Sequence, residues 1–268
     1  MKEREEEKMK VISIVNHKGG VGKTTTTLNF GAELAERGYK VLLIDFDMQG
    51  NLTKASGLVN PDKITETIAL SMDKIIDGQP CIDTKVFKTG ISKNLDIIPC
   101  NVSMADTKLK LQLTIARETV LKRVICSVKK KYNYDYILID NAPTIEIDFQ
   151  NSLVASDEVL IVTNPDVFSS AGMVSLLREY SKVKTYFSDS LKVAGVLLNN
   201  VDSRTNFTKG MVEVIKNKWK ELKVFETVIP SSIKVKESQA MKLPIKTVDK
   251  NNKVAIAFSS FTDEYLKM

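Results

Sequence analysis

The chain lacks a hydrophobic run of membrane-spanning length. A bilayer-spanning helix needs about 20 mostly apolar residues, and no run in the 268 residues approaches that length. Residues 2–8 are all charged, so the N-terminus also lacks the apolar core of a signal peptide. We therefore expect a cytoplasmic protein.

Cysteines and linker sequences are scarce as well. Cys81, Cys100 and Cys126 are odd in number and widely spaced, which supports neither a disulfide framework nor a CxxC metal site. Each is predicted to be a small buried apolar residue. No repeat or Pro/Gly/Ser-rich linker marks a domain boundary. We predict one domain over residues 11–268, preceded by a charged mobile arm over residues 1–10.

Positive charge is concentrated late in the chain. The net charge is +6, and residues 201–255 contain 12 Lys and Arg against 6 Asp and Glu. This excess is typical of a surface that binds a polyanion. A solvated lysine-rich surface would have the same composition.

Apolar runs of strand length alternate with amphipathic segments of helix length. Most of the runs are apolar on both faces, which is typical of buried parallel strands with helices on each side. The pattern predicts an α/β fold, with a doubly wound, mostly parallel sheet flanked by helices. The predicted strands cover residues 11–16, 41–45, 95–99, 136–140, 159–163, 193–199 and 224–229, and the predicted helices cover 23–37, 118–131, 169–187, 207–222 and 254–266.

A glycine-rich turn follows the first predicted strand and leads directly into a helix. Glycines let successive backbone N–H groups point at one anion, and the helix N-terminus adds partial positive charge. Lys23 would reach the β- and γ-phosphates of ATP, and Thr24 would bind Mg²⁺ through its hydroxyl. The predicted nucleotide-binding residues of this P-loop are Lys18, Gly19, Gly20, Val21, Gly22, Lys23, Thr24 and Thr25, the last against the α-phosphate.

The loop departs from the GxxxxGKT pattern at His17, which replaces the first glycine. Its KGGVGKT form resembles the deviant Walker A motif of the ParA/MinD/Soj superfamily of P-loop NTPases, the SIMIBI class. In that family, the lysine that Lys18 matches reaches the partner's phosphates across a nucleotide-sandwich dimer. The resemblance implies an ATP-dependent homodimer in which Lys18 and Lys23 both act in catalysis. The alternative for Lys18 is an exposed loop lysine.

Two carboxylates end the second predicted strand. Asp45, Asp47 and the segment Gln49-Gly50-Asn51 resemble the family's DxDPQGN sequence, with Met48 in place of proline. By that resemblance Asp47 is catalytic and orients the attacking water, while Asp45 supports the metal site and the switch region. Asp47 as a helix cap is the alternative.

A further strand ends in Asp140, as in a Walker B element that holds Mg²⁺ directly or through water. Pro143 matches the proline of the family's DxPP-type turn, whereas Asn141 and Ala142 depart from it. Resemblance also implies that Asn199 and Pro230 contact the adenine base. Either could instead be an ordinary turn residue.

The family resemblance extends to a DNA-binding segment. Residues 202–206 match the DxRTN sequence of Soj-like proteins, which assigns Arg204 to a patch for non-specific duplex DNA. Lys234 and Lys236 are predicted to join it through phosphate contacts. Ser231 replaces the arginine that follows the family's Ile-Pro, and the family's SEAPS stretch is here KESQA (residues 236–240). Alternatively, Arg204 caps a helix and the lysines are solvated.

Together these features resemble a ParA/Soj-type partition ATPase that uses ATP and Mg²⁺. The resemblance implies weak hydrolysis that a centromere-binding ParB-like partner stimulates, and association with the nucleoid. A MinD-like or cargo-positioning ATPase is the alternative. Gln49-Gly50-Asn51 and a C-terminus without a basic amphipathic face argue against the membrane form, so no stable membrane binding is expected. An iron–sulfur reductase would need a thiolate where Pro143 stands.

Overall fold

A computed structural model describes residues 9–58, 60–80, 82–166, 169–202, 204 and 206–268, with backbone only for 169–171 and 206–209. The strands are β1 (Lys10–Val15), β2 (Val41–Phe46), β3 (Phe87–Lys88), β4 (Leu95–Ile98), β5 (Tyr136–Asn141), β6 (Glu158–Thr163) and β7 (Lys192–Leu198). The helices are α1 (Lys23–Glu36), α2 (Asn51–Ala55), α3 (Ile68–Ile76), α4 (Met104–Gln112), α5 (Val120–Lys131), α6 (Ile147–Val154), α7 (Ser169–Tyr186), α8 (Asn206–Lys218), α9 (Lys234–Met241), α10 (Ile245–Val248) and α11 (Lys253–Leu266).

The strands form one sheet in the order β3-β4-β2-β5-β1-β6-β7. All neighbours are parallel except β3 and β4, which pair antiparallel. The predicted doubly wound, mostly parallel α/β fold is therefore confirmed. Parallel strands need crossover connections, and the helices that supply them cover both faces of the sheet.

Alternation along each strand assigns side chains to two helical layers. Ile12 and Ile14 of β1 face the layer that contains α1 and α11, where Phe30 packs against Phe261 with ring centroids 5.1 Å apart. Val11 faces the opposite layer, which contains α3, α4 and α5. Every strand that leads to the predicted site is thus buried on both faces.

The predicted strand over residues 224–229 is wrong. This segment runs beside β7 and makes only isolated bridges, Val196 with Val224 and Val201 with Pro230. Its amides at positions 226 and 227 donate instead to the carboxylate of Glu264 on α11, at 2.9 and 3.0 Å. A regular ladder cannot form because those two donors turn away from β7.

Several shorter elements were absent from the sequence prediction: β3 and six helices, α2, α3, α4, α6, α9 and α10.

Of the cysteines, Cys100 is buried as predicted, Cys126 is exposed and so contradicts the prediction, and Cys81 lies outside the described residues. Residues 1–8 of the predicted arm also lie outside them. β1 begins at Lys10, within the predicted arm, and Lys10 forms an ion pair with Glu158. No described helix has the length and apolarity to span a membrane.

Candidate nucleotide-binding site

The strand order places the polar ends of three strands side by side. β5 lies between β1 and β2, so the loop after β1 and the carboxylates that end β2 and β5 share one edge of the sheet. Asp45 is in direct register with Asp140. The carboxyl edge of a parallel sheet is where α/β proteins bind ligands.

The glycine-rich loop is shaped by backbone that other residues adopt poorly. Gly20 and Gly22 have positive φ angles of 74° and 93°, in the left-handed region that favours glycine. Asn16 supports the loop, because its side chain accepts a hydrogen bond from the amide of Lys18 at 2.9 Å. The loop ends at the N-terminus of α1, where free N–H groups and the helix dipole favour phosphate.

Lys23 is buried with its ammonium 3.3 Å from the carbonyl oxygen of Lys18. Desolvation lowers the pKa of Lys23, and the charges of Asp140 and Asp47 act in the opposite direction. A lysine desolvated inside a loop of N–H donors is well placed to bind an anion. This arrangement fits the predicted β- and γ-phosphate contact.

Asn199 contacts the loop itself. Its Nδ2 donates to the carbonyl oxygen of Val21 at 2.6 Å, and a Cβ at Gly22 would lie only 2.0 Å from that nitrogen. Asn199 follows β7, and backbone hydrogen bonds at Val201 and Ile229 bring Pro230 beside it. The two predicted adenine-contacting residues therefore lie close together, with the Asn199 amide directed at the loop.

Asp140 fits a magnesium site of the predicted kind. Thr24 Oγ1 donates to its Oδ2 at 2.7 Å, so the hydroxyl and the carboxylate form a pair that Mg²⁺ could bind directly or through water. Burial and the nearby charge of Asp45 raise the pKa of Asp140 to about 8. A cation would stabilise the ionised carboxylate. Within the described residues no three His, Cys, Asp or Glu side chains form a metal cluster.

Asp45 is fully buried and its carboxylate is used by the protein. Its Oδ2 accepts from the amide and hydroxyl of Thr53 at 2.8 and 2.7 Å, and its Oδ1 accepts from the amide of Asp47. Desolvation raises its pKa to about 7. Asp45 therefore anchors α2 and the preceding turn behind the site.

Asp47 is partly exposed at the sheet edge. Its Oδ1 accepts from the amide of Gln49 at 3.0 Å, which closes a tight turn. The second carboxylate oxygen is the one available to orient a water. Asp47 therefore stabilises the turn and also lies at the sheet edge, where a residue that orients the attacking water is expected.

Lys18 forms an ion pair with Asp166, at 2.7 Å between Nζ and Oδ2. Both side chains are partly exposed, so the pair is weakly held and the ammonium can be redirected. Asp166 was missed from the sequence. It follows β6, which neighbours β1, and the rule that ligands bind at carboxyl strand ends could have identified it.

His17 packs against helix α7. A Cβ built on Gly172 would lie 1.9 Å from His17 Cε1, so only glycine fits beneath the ring. His17, which replaces the first glycine of the P-loop pattern, is therefore accommodated by a glycine 155 positions later. Nothing in the sequence alone links the two positions.

The two chain segments that carry the predicted DNA-contacting residues are adjacent in the fold. The bridge between Val201 and Pro230 joins the segments that lead to Arg204 and to Lys234. Arg204 is 85% exposed, and its guanidinium donates to both carboxylate oxygens of Asp202 at 2.8 and 2.7 Å.

The lysines of this surface are exposed to different degrees. Lys234 pairs with Glu237 at 2.7 Å, and Lys236 is exposed. The Arg204 hydrogen bonds, with a smaller contribution from Lys253, lower the pKa of Asp202 to about 2. Lys253, at the start of α11, therefore lies near the same surface, although its sequence position does not indicate this. The pairing of Arg204 with Asp202 leaves its side chain on the surface.

Comparisons with known proteins show the family of this chain. A family model described as an AAA domain matches residues 9–193. The sporulation initiation inhibitor protein Soj of Bacillus subtilis is 36% identical, covering 95% of this chain and 97% of Soj. The chromosome-partitioning ATPase Soj of Treponema pallidum is 34% identical, over 90% of each protein. The septum site-determining protein MinD of Pyrococcus horikoshii, solved with Mg-ADP, is 27% identical with a TM-score of 0.71, covering 96% of both chains.

Proposed function

This chain belongs to the AAA-domain family of Soj- and ParA-type partition ATPases, and from that premise we propose that it partitions DNA through an ATP-gated dimer. The observation that carries the proposal is the pair of lysines in one loop. Lys23 is buried, with its ammonium 3.3 Å from the carbonyl oxygen of Lys18, whereas the Lys18 side chain is partly exposed and pairs with Asp166. One ammonium thus serves its own nucleotide, and the other can serve a nucleotide in a second copy.

Each residue of the site would have a different role in ATP hydrolysis. Mg²⁺, when bound at Thr24 and Asp140, would neutralise charge on the β- and γ-phosphates. Lys23 would stabilise charge that develops on the transferring phosphoryl group, and Asp47 would orient the attacking water. Because Lys18 must leave Asp166 to reach a partner, hydrolysis is expected to be weak in the isolated monomer and faster when a second protein, of the ParB type, favours the dimer.

The DNA partner is inferred from charge. Arg204 is exposed and Lys234 is half-buried, and each pairs with a carboxylate in its own turn, in a contact that solvent screens. Duplex phosphates can displace such partners and release counterions, which gives binding that depends on salt and carries little sequence information. Two such surfaces joined in an ATP dimer would bind DNA more strongly than either alone.

The test is ATP-dependent retention on duplex DNA. The Arg204→Ala/Lys234→Ala variant is expected to lose about tenfold or more of its affinity at low salt, because two phosphate contacts are removed. Arg123→Ala/Lys130→Ala removes the same charges from exposed positions of α5 and should bind as wild type does. Equal retention by both variants would contradict the DNA surface.

A second candidate is positioning of a membrane-bound or clustered protein cargo. It is favoured by the likeness to MinD, which extends over nearly the whole chain. If wild-type protein with ATP bound neither short nor long duplexes at low salt, while ATP still produced a dimer, this second function would replace DNA partition.

A further inference from the structure

Helix α9, which carries the predicted DNA-contacting lysines, touches the nucleotide-binding helix directly. Gln239 of α9 donates from Nε2 to the hydroxyl oxygen of Thr25 at 2.9 Å. Thr25 is the third residue of α1, in the turn that faces the phosphates. One hydrogen bond therefore joins the proposed nucleotide site to the helix that begins at Lys234.

A second connection strengthens the first. Asn29, which is 4% exposed, donates from Nδ2 to the carbonyl oxygen of Thr25 at 2.8 Å. Its Oδ1 accepts from the amide of Ile245, the first residue of α10, at 2.9 Å. Helix α9, through Gln239, and the first residue of α10 are thus both bonded to α1 near Thr25.

The direction of the Gln239 hydrogen bond has a chemical consequence. An amide nitrogen only donates, so the Thr25 oxygen is the acceptor and its own proton must point away from Gln239. A phosphate bound at the loop would offer that proton a charged acceptor, and hydrogen bonds to charged acceptors are the stronger ones. Gln239 also lies in the KESQA stretch, which departs from the family's SEAPS sequence.

We propose that Gln239 is a positioning residue that orients the Thr25 hydroxyl toward the nucleotide and couples nucleotide binding to the placement of α9. Binding of the α-phosphate region strengthens the Thr25 contact and thereby fixes the helix that presents Lys234 and Lys236. By the same linkage, DNA bound at α9 raises affinity for the nucleotide. The inference rests on the proposed nucleotide site and, for its second half, on the proposed DNA surface.

The first experiment measures nucleotide binding without DNA. Full-length wild type, Gln239→Ala, Thr25→Ala and the double variant are titrated with methylanthraniloyl-ATP and Mg²⁺. Gln239→Ala is expected to weaken binding about three- to tenfold in the wild-type background and to have no effect once Thr25 is alanine. Met241→Ala, at an exposed position of the same helix, is the matched control and should bind as wild type does.

Gln239→Glu provides a second variant with the same shape. Its carboxylate can only accept, so it draws the Thr25 proton away from the nucleotide and should weaken binding at least as much as Gln239→Ala. Equal effects of Gln239→Ala with and without the Thr25 hydroxyl would overturn the proposal, since the residue would then act independently of Thr25. Unfolding temperatures of all variants verify that each is folded.

The second experiment measures the ratio of duplex DNA affinity in ATP to that in ADP. Gln239→Ala is expected to reduce this ratio severalfold, with DNA binding in ADP unchanged. A ratio equal to that of wild type would refute the coupling to α9. If wild type bound no DNA in either nucleotide, the proposed function would fail while the titration cycle still decided the role of Gln239 at Thr25.

Discussion

Asp140 illustrates how a single buried carboxylate makes the nucleotide-free protein sensitive to pH. Its pKa is raised to about 8 by burial and by Asp45, whereas an unfolded aspartate titrates near 4. Between these pH values the folded state binds more protons than the unfolded state. The free energy of unfolding must therefore fall as pH rises through this window.

Asp140→Asn removes the contribution of Asp140 to that dependence, because the amide carries no charge to desolvate, whereas Asp45 still titrates in the variant. We expect the wild-type free energy of unfolding to fall by about 3 kcal/mol more than that of the variant between pH 5 and pH 8, in EDTA without nucleotide. Urea unfolding at four pH values measures this. Asp106→Asn, at an exposed position of α4, is the control. Parallel profiles for wild type and Asp140→Asn would contradict the shifted titration, and the variant should also lose ATP hydrolysis.

Single residues of the site were predictable where they belong to a short sequence motif or end a predicted strand. The loop from Lys18 to Thr25 and the Asp140 strand end can be located from motif and position alone, and the structure brings them to one edge of the sheet. The contacts of Asn199 with Val21 and of Lys18 with Asp166 were not predictable. They join residues 178 and 148 positions apart, and only the strand order sets which of them meet.

Helix α7 packs against the loop before α1 at one point, where the His17 ring lies over Gly172. Gly172→Ala would force a Cβ into the His17 ring, since the unrelaxed separation is 1.9 Å. We expect a loss of about 1–3 kcal/mol in the free energy of unfolding and weaker ATP binding, because His17 directly precedes Lys18. Unfolding by urea and an ATP titration measure the two effects.

His17→Gly should rescue that variant. The combined His17→Gly/Gly172→Ala protein has room for the new Cβ, and alanine favours a helix over glycine by about 1 kcal/mol. Its stability is expected to return at least to that of His17→Gly alone. If the double variant were as unstable as Gly172→Ala, the packing of the ring on α7 would not be the cause.

At the level of elements, long periodic segments were predicted well and short ones poorly. The helices over 23–37 and 254–266 have enough turns for their apolar periodicity to be read. Residues 224–229 have the apolar pattern of a strand, yet Glu264 takes two of their amides. α9 was missed because its sequence, KVKESQAM, shows little apolar periodicity. It contacts Thr25 through Gln239, and Asn29 accepts from the amide of Ile245 at the start of α10; both partners lie far away in sequence.

For the whole molecule, the ion pair between Lys18 and Asp166 would oppose the proposed ATP-gated dimer, because Lys18 must leave Asp166 to reach a partner. Asp166→Asn keeps the shape of the side chain and removes the charge that competes with a partner's phosphates. We expect it to raise the ATP-dependent dimer fraction about two- to fivefold near the midpoint concentration, in keeping with a surface pair worth about 0–1 kcal/mol.

Light scattering of protein separated by size, in ATP and in ADP, measures the dimer fraction. Lys18→Ala is expected to remain monomeric in both nucleotides, and Asp189→Asn, in the loop after α7, should match wild type. A dimer of Lys18→Ala as stable as that of wild type would show that Lys18 has no part in the contact between copies.

The two edges of the sheet limit how copies of this chain can associate. At one edge β3 contributes only two residues, and at the other the backbone of residues 223–229 already bonds to β7 through Val196 and Leu198. Little free ladder is available to a strand from another chain. In the proposed dimer, contacts between copies would therefore be made by side chains and loops, whose geometry a bound nucleotide can reset. A continuous sheet across two molecules would lack that reversibility and would invite fibre growth.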